Sequence, residues 1–161
     1  MDLEIGQHRE FQKKEWLATR IGWVLIALFL LAGLLGFLGP GPFSQTTATS
    51  DSGYVAVEFQ RIGHNNADDN LTLDLSNETV TDGKVTVHLT GTWPESVDIT
   101  GVSPQPSAEY AVPGGTAYEF EVLDGADVSA SFAFRATGYG PLDATASVDG
   151  DSVDFTQFVL P

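Results

Sequence analysis

The segment VSASFAFRA, Val128–Ala136, places Val128, Ala130, Phe132 and Phe134 at every second position, with Ser129, Ser131, Ala133 and Arg135 between them. A period of two is the mark of a strand with one buried face, because successive side chains on a strand point to opposite sides. The same alternation recurs toward both ends of the chain. YVAVEFQRI sets Val55, Val57 and Phe59 against Ala56 and Glu58, and LTLDLS sets Leu71, Leu73 and Leu75 against Thr72 and Asp74. KVTVHLTG offers Val85, Val87 and Leu89, and YEFEV offers Tyr118, Phe120 and Val122. TASV and VDFTQFVLP close the chain. No helical pattern of comparable length interrupts this run.

The punctuation agrees. TDGK at 81–84, LDGA at 123–126 and VDGD at 148–151 each contain Asp-Gly, the strongest short signal for a hairpin. VSPQPSAEYAVPGG reads as a longer irregular crossing, with Pro104, Pro106 and Pro113 at sheet edges or between sheets. Short strands at this spacing predict an all-β domain over 54–161. The expected form is an immunoglobulin-like antiparallel β-sandwich of seven to nine short strands. There is no cysteine, so packing alone must hold it and no disulfide or zinc-thiolate site is available. Trp93 precedes Pro94 at a strand end and is not given the role of a central core tryptophan. Glu119 and Glu121 read as a solvent-facing row that discourages edge pairing.

Upstream, TRIGWVLIALFLLAGLLGFLGPGPFS (19–44) contains an uncharged 18-residue run at 21–38. That is the lower end of the length needed to span a bilayer and longer than a usual signal-peptide core. GPGPFS ends the helix, because alternating Gly and Pro cannot continue its hydrogen bonds. No small-x-small cleavage site of the usual spacing follows. The run is therefore read as a retained single-pass anchor. Residues 1–20 form a cytoplasmic amphipathic lead-in helix. Residues 39–53 form a Gly/Pro and then Ser/Thr linker.

Orientation follows from Lys and Arg. Arg9, Lys13, Lys14 and Arg20 precede the span, and the first basic residue after it is Arg61. The N-terminus is expected in the cytoplasm and the β domain outside. Trp16 and Trp23 stand near the start of the span and Phe43 just beyond its end, as interfacial aromatics do. Ala32, Gly33 and Gly36 offer a small-residue face through which a second helix could pack.

The net charge of −15 lies wholly beyond the span, where eighteen Asp and Glu face only Arg61, Lys84 and Arg135. Such a surface repels phosphate backbones, so nucleic acid is excluded as a partner. The three histidines have no nucleophile elbow or metal motif beside them, and the domain is read as non-catalytic. Two acidic stretches invite a calcium reading, since Ca²⁺ takes six to eight oxygens. These are Asp68 and Asp69 in HNNADDN, and Asp149, Asp151 and Asp154 in DGDSVD. Ordinary turns also favour Asn and Asp, so no cofactor is assigned. Asn70 and Asn77 each begin an N-x-Thr glycosylation pattern.

Both ends of the chain carry a resemblance. HREFQKKEWLATRIGWVLIALFLLAGLLGFLGPGPFS supplies an R-x-G-W start at Arg20, Gly22 and Trp23 and a GPGP-S exit, and VDGDSVDFTQFVLP supplies a closing FTQFV-P strand. Together they resemble an uncharacterised family of small single-pass bacterial membrane proteins. That family has a short cytoplasmic N-terminus and a β-rich extracytoplasmic domain. The resemblance implies an accessory role beside another membrane protein and no catalytic residue. The expected function is a membrane-anchored interaction module whose partners are the lipid bilayer and another membrane protein. The alternative is a surface sensor or adhesion domain binding calcium or a saccharide through the acidic loops.

Overall fold

The structure, a computed structural model, describes residues 9–35, 44–123 and 125–161. Its first element is helix α1, Arg9–Leu34, in which residues 9–20 of the lead-in and 21–34 of the apolar run form one continuous helix. The stretch Lys14–Leu34 is the one described helix long and apolar enough to cross a membrane, and none of it is buried in the protein. The guanidinium of Arg20 stacks over the Trp16 ring at 3.9 Å, so the charged end of the helix is tied to an aromatic one turn back. Lys14, Trp16, Arg20 and Trp23 are exposed, and Arg9 and Lys13 lie on the same helix. Of the small residues, Gly33 is exposed and Ala32 partly so, while Gly36 and also Phe43 lie outside the described residues.

All further described residues belong to a β domain built from two sheets. The first sheet contains β1 (Gln45–Thr49), β2 (Val55–Gln60), β4 (Asp68–Leu75), β6 (Val97–Ser103) and β9 (Val128–Ala136), in the order β1-β2-β4-β9-β6. The second contains β3 (Ile62–His64), β5 (Lys84–Gly91), β7 (Ala108–Val112), β8 (Gly115–Glu121), β10 (Gly140–Val148) and β11 (Asp151–Leu160), in the order β3-β11-β10-β5-β8-β7. Every pairing is antiparallel except that of β3 with β11. A one-turn helix α2, Thr92–Glu95, follows β5.

The alternation read from the sequence is the alternation of burial. Val128, Ala130, Phe132 and Phe134 are buried, as are Val55, Val57, Phe59, Leu71, Leu73 and Leu75 on the same face of that sheet. The inner faces meet through aromatic contacts: Phe59 with Phe155 at 4.9 Å, Tyr118 with Phe132 at 5.0 Å and Trp93 with Phe134 at 4.8 Å between ring centres. The last two are edge-on, a favourable arrangement of aromatic quadrupoles.

Two of the three Asp-Gly turns behave as their residues require; the third includes Asp124, which lies outside the described residues. Asp149 and Gly150 both have positive φ (47° and 86°) between the paired Val148 and Asp151, and Asp82 and Gly83 repeat this between Thr81 and Lys84. Two left-handed residues in a two-residue loop match the twist of the flanking strands.

Five expectations need correction. The described domain has eleven strands rather than seven to nine, and strand structure is already present at 45–49, upstream of the expected start at Tyr54. The stretch taken as linker contains β1, whose inward Thr46 and Ala48 are too small to show as an apolar pattern. The irregular crossing contains β7, bounded by Pro106 and Pro113, and a tight Pro113-Gly114 turn into β8. Glu119 is not on an edge. β8 lies between β5 and β7, and the Lys84 ammonium donates to Glu119 at 2.7 Å, which lowers the pKa of Glu119 and raises that of Lys84. Finally, Trp93 is completely buried and is the largest such side chain. The helical turn after β5 swings it back over the end of the core, which its place beside a proline concealed.

Candidate interaction surface

The five aspartates considered for calcium do not meet. Asp68 and Asp69 open β4, next to the 64–67 loop whose Asn65 N–H donates to the Leu160 carbonyl at 2.8 Å. Asp149 and Asp151 sit at the other end of β11. Nine residue steps along a strand separate the two ends, roughly 30 Å at 3.3 Å per residue. Each carboxylate with a partner has a local one. Arg135 donates Nε–H and Nη2–H to Asp68 Oδ1 at 2.9 and 2.7 Å. Thr145 donates to Asp154 Oδ1 at 2.6 Å. Ser50 and Ser52 both donate to Asp151 Oδ2, which holds that carboxyl below its usual range. Among the described residues no group of three or more His, Asp or Glu is placed to hold a metal ion. Asn70 lies exposed on β4 opposite Ala133. Asn77 opens a short 3-10 turn and is also exposed; its N–H donates to Asp127 Oδ1 at 2.9 Å.

One polar group does run into the core. Gln157 fills the inward slot between Phe155 and Val159 on β11 and is 1% exposed. The Trp93 indole N–H donates to its Oε1 at 3.0 Å, and its own Nε2–H donates to Asp69 Oδ2 at 2.9 Å. Asp69 Oδ1 accepts the Asn70 N–H at 2.8 Å. Burial raises the Asp69 pKa, and the two donated hydrogen bonds oppose that rise. Gly63 makes room, since a Cβ there would sit 3.2 Å from Gln157 Nε2. This relay pins β11, β4 and the β5–β6 connection together, and the indole nitrogen and the amide nitrogen each donate to an acceptor, as buried polar groups require. The sequence carried a hint of it: a glutamine in an apolar register must find partners.

The surface open to another chain is an edge. Among the described residues β1 pairs only with β2, and the residue numbers of each pair sum alike, from Gln45–Gln60 to Thr49–Ala56. Arg61 N–H donates to the Ser44 carbonyl at 2.7 Å and Ser50 N–H to the Val55 carbonyl at 2.9 Å. In an antiparallel ladder hydrogen-bonded and non-bonded pairs alternate. Positions 46 and 48 therefore face β2, while the N–H and C=O groups of Gln45, Thr47 and Thr49 point away from it. The other edges carry the usual protections. β3 has only three residues, β6 is bulged between Ile99 and Gly101, and β7 carries Glu109 between flanking prolines. β1, QTTAT, has no charge, proline or bulge.

No protein-family model matches this chain, and no curated protein is detectably similar to it.

Proposed function

We propose that this protein is a membrane-anchored, non-catalytic interaction module that serves as an accessory subunit of another membrane protein. Helix α1 would span the bilayer with its N-terminus in the cytoplasm, since Arg9, Lys13, Lys14 and Arg20 precede the apolar run and none follows it before Arg61. The outer domain reads as an immunoglobulin-like sandwich. β2, β4, β9 and β6 stand where strands A, B, E and D stand in that fold, and β11, β10 and β5 stand for G, F and C. β2 passes into β3 through Arg61 and so changes sheets. The order departs from that pattern at β8, which lies beside the C-like strand but follows the D-like one in the chain.

The observation that carries the reading is the outer edge of β1, which pairs on one side only among the described residues and is the first described strand after the apolar helix. An extended partner segment added there would gain main-chain hydrogen bonds along the edge. Thr47→Pro tests it. Proline removes an N–H that points away from β2 and leaves the β1–β2 ladder intact, whereas Thr46→Pro removes a ladder bond and serves as the folding control. In pull-downs from the native membrane, a partner retained by the full chain and by residues 44–161 should be lost with Thr47→Pro while the melting temperature holds. A partner indifferent to Thr47→Pro refutes strand addition at β1. One that follows only the full chain places recognition on α1.

A further inference from the structure

We infer that one corner of the sandwich rests on the bilayer itself, through an apolar row on the outer face of the second sheet. This rests on the reading of α1 as a membrane span. Ile62 on β3, Phe158 on β11 and Pro141 on β10 are direct cross-strand neighbours. Phe158 lies between the buried Gln157 and Val159 and so points outward, 46% exposed. Two residues before Pro141, Tyr139 is 76% exposed. Along these two strands the rest of the face is polar: Asp143, Thr145, Ser147, Ser152, Asp154 and Thr156. An apolar patch this local on a domain so rich in carboxylates calls for a covering surface.

The chain enters the domain at this row. Arg61 donates its N–H to the Ser44 carbonyl at 2.7 Å, and Phe158 donates its N–H to the Arg61 carbonyl, also at 2.7 Å. Ser44 is nine residues beyond Leu35, the last described residue of the helical segment. Nine residues span at most about 30 Å even when fully extended, so the tether holds this corner close to where the span leaves the lipid. Tyr and other aromatics settle at headgroup depth because they bury an apolar ring and keep a polar tip wet. The chemistry favours zwitterionic headgroups. None of the four residues in the patch is charged, and the domain's excess of carboxylates is repelled by anionic lipid.

The chain has no native cysteine, which makes single-cysteine labelling direct. Full-length Phe158→Cys, Tyr139→Cys, Ser152→Cys and Leu28→Cys, each carrying an environment-sensitive fluorophore, are reconstituted in phosphatidylcholine vesicles with nitroxide-bearing lipids. All four side chains are exposed in the protein, so the fold should tolerate the changes. Labels at 158 and 139 are expected to shift to the blue and lose intensity to nitroxides near the headgroup. The label at 152, on the same strand, should do neither. The label at 28 should be quenched by nitroxides deep in the acyl chains. Labels at 158 and 139 that behave like 152, while 28 is quenched, overturn the docking and leave the patch to a protein partner. An unquenched label at 28 overturns the anchor reading and the docking with it.

Discussion

Replacing Trp93 by Phe tests whether the buried relay holds the sandwich together. The indole N–H donates to Gln157 Oε1 at 3.0 Å, and both residues are essentially inaccessible to solvent. Phenylalanine keeps an aromatic ring against Phe134 and Phe155 but removes the donor. The orphaned glutamine carbonyl then costs about 1–3 kcal/mol. The smaller ring leaves a void on the order of 40 Å³, which at about 24 cal/mol per Å³ adds roughly 1 kcal/mol. The expected loss is about 2–4 kcal/mol, a large share of the roughly 5–15 kcal/mol a domain has. Residues 44–161 contain every buried core residue among those described and suit the assay. Circular dichroism should follow urea unfolding, because Trp93 is the fragment's only tryptophan. Gln157→Leu completes a double-mutant cycle: alone it orphans the indole N–H, and in the Trp93→Phe background it does not. A coupling energy of about 1–2 kcal/mol is expected. A single-mutant cost under about 1 kcal/mol, or additivity within about 0.5 kcal/mol, refutes the idea that this bond matters to stability.

Three further outcomes follow from the same geometry. Burial raises the Asp69 pKa, so the folded state holds that proton more tightly than the unfolded chain. Its contribution is full below the unfolded carboxylate range and is lost as pH rises through the raised folded value. Asp69→Asn should therefore gain more over the wild type near pH 7 than below about pH 4, and thermal melts showing the reverse order would contradict burial as the dominant cause. Asp151 has the opposite sign, since Ser50 and Ser52 lower its pKa. Asp151→Asn should lose its penalty as pH falls through the depressed folded value, and a penalty that grows on acidification would count against those bonds. Gly115→Ala places a Cβ 1.9 Å from the Leu89 carbonyl oxygen and 2.8 Å from Thr90 Cα; backbone cannot yield that far, so a loss above about 4 kcal/mol or no soluble domain is expected, and a melt within a few degrees of wild type would show that β5 and β8 separate easily.

The sequence by itself determined the long apolar helix, the β class and the faces of the longer strands. These follow from local periodicity: eighteen uncharged residues at 21–38, and alternation such as Val128, Ala130, Phe132 and Phe134, which any strand with one dry side must show. It also placed two Asp-Gly turns, because a left-handed pair in a two-residue loop leaves few residue choices. Only the tertiary structure decided what has no local signature. β1 is a strand because β2 accepts it, although Thr46 and Ala48 bring little apolar surface of their own. Trp93 is in the core because a helical turn after β5 folds it inward, and Gln157 is tolerated there because Trp93 and Asp69, 64 and 88 positions away, converge on it. The acidic stretches invite a ligand reading because they are dense in sequence, yet one opens β4 and the other lies at the start of β11, in different sheets. Proximity along the chain says little about proximity in a sandwich, where every neighbour that matters comes from a different strand.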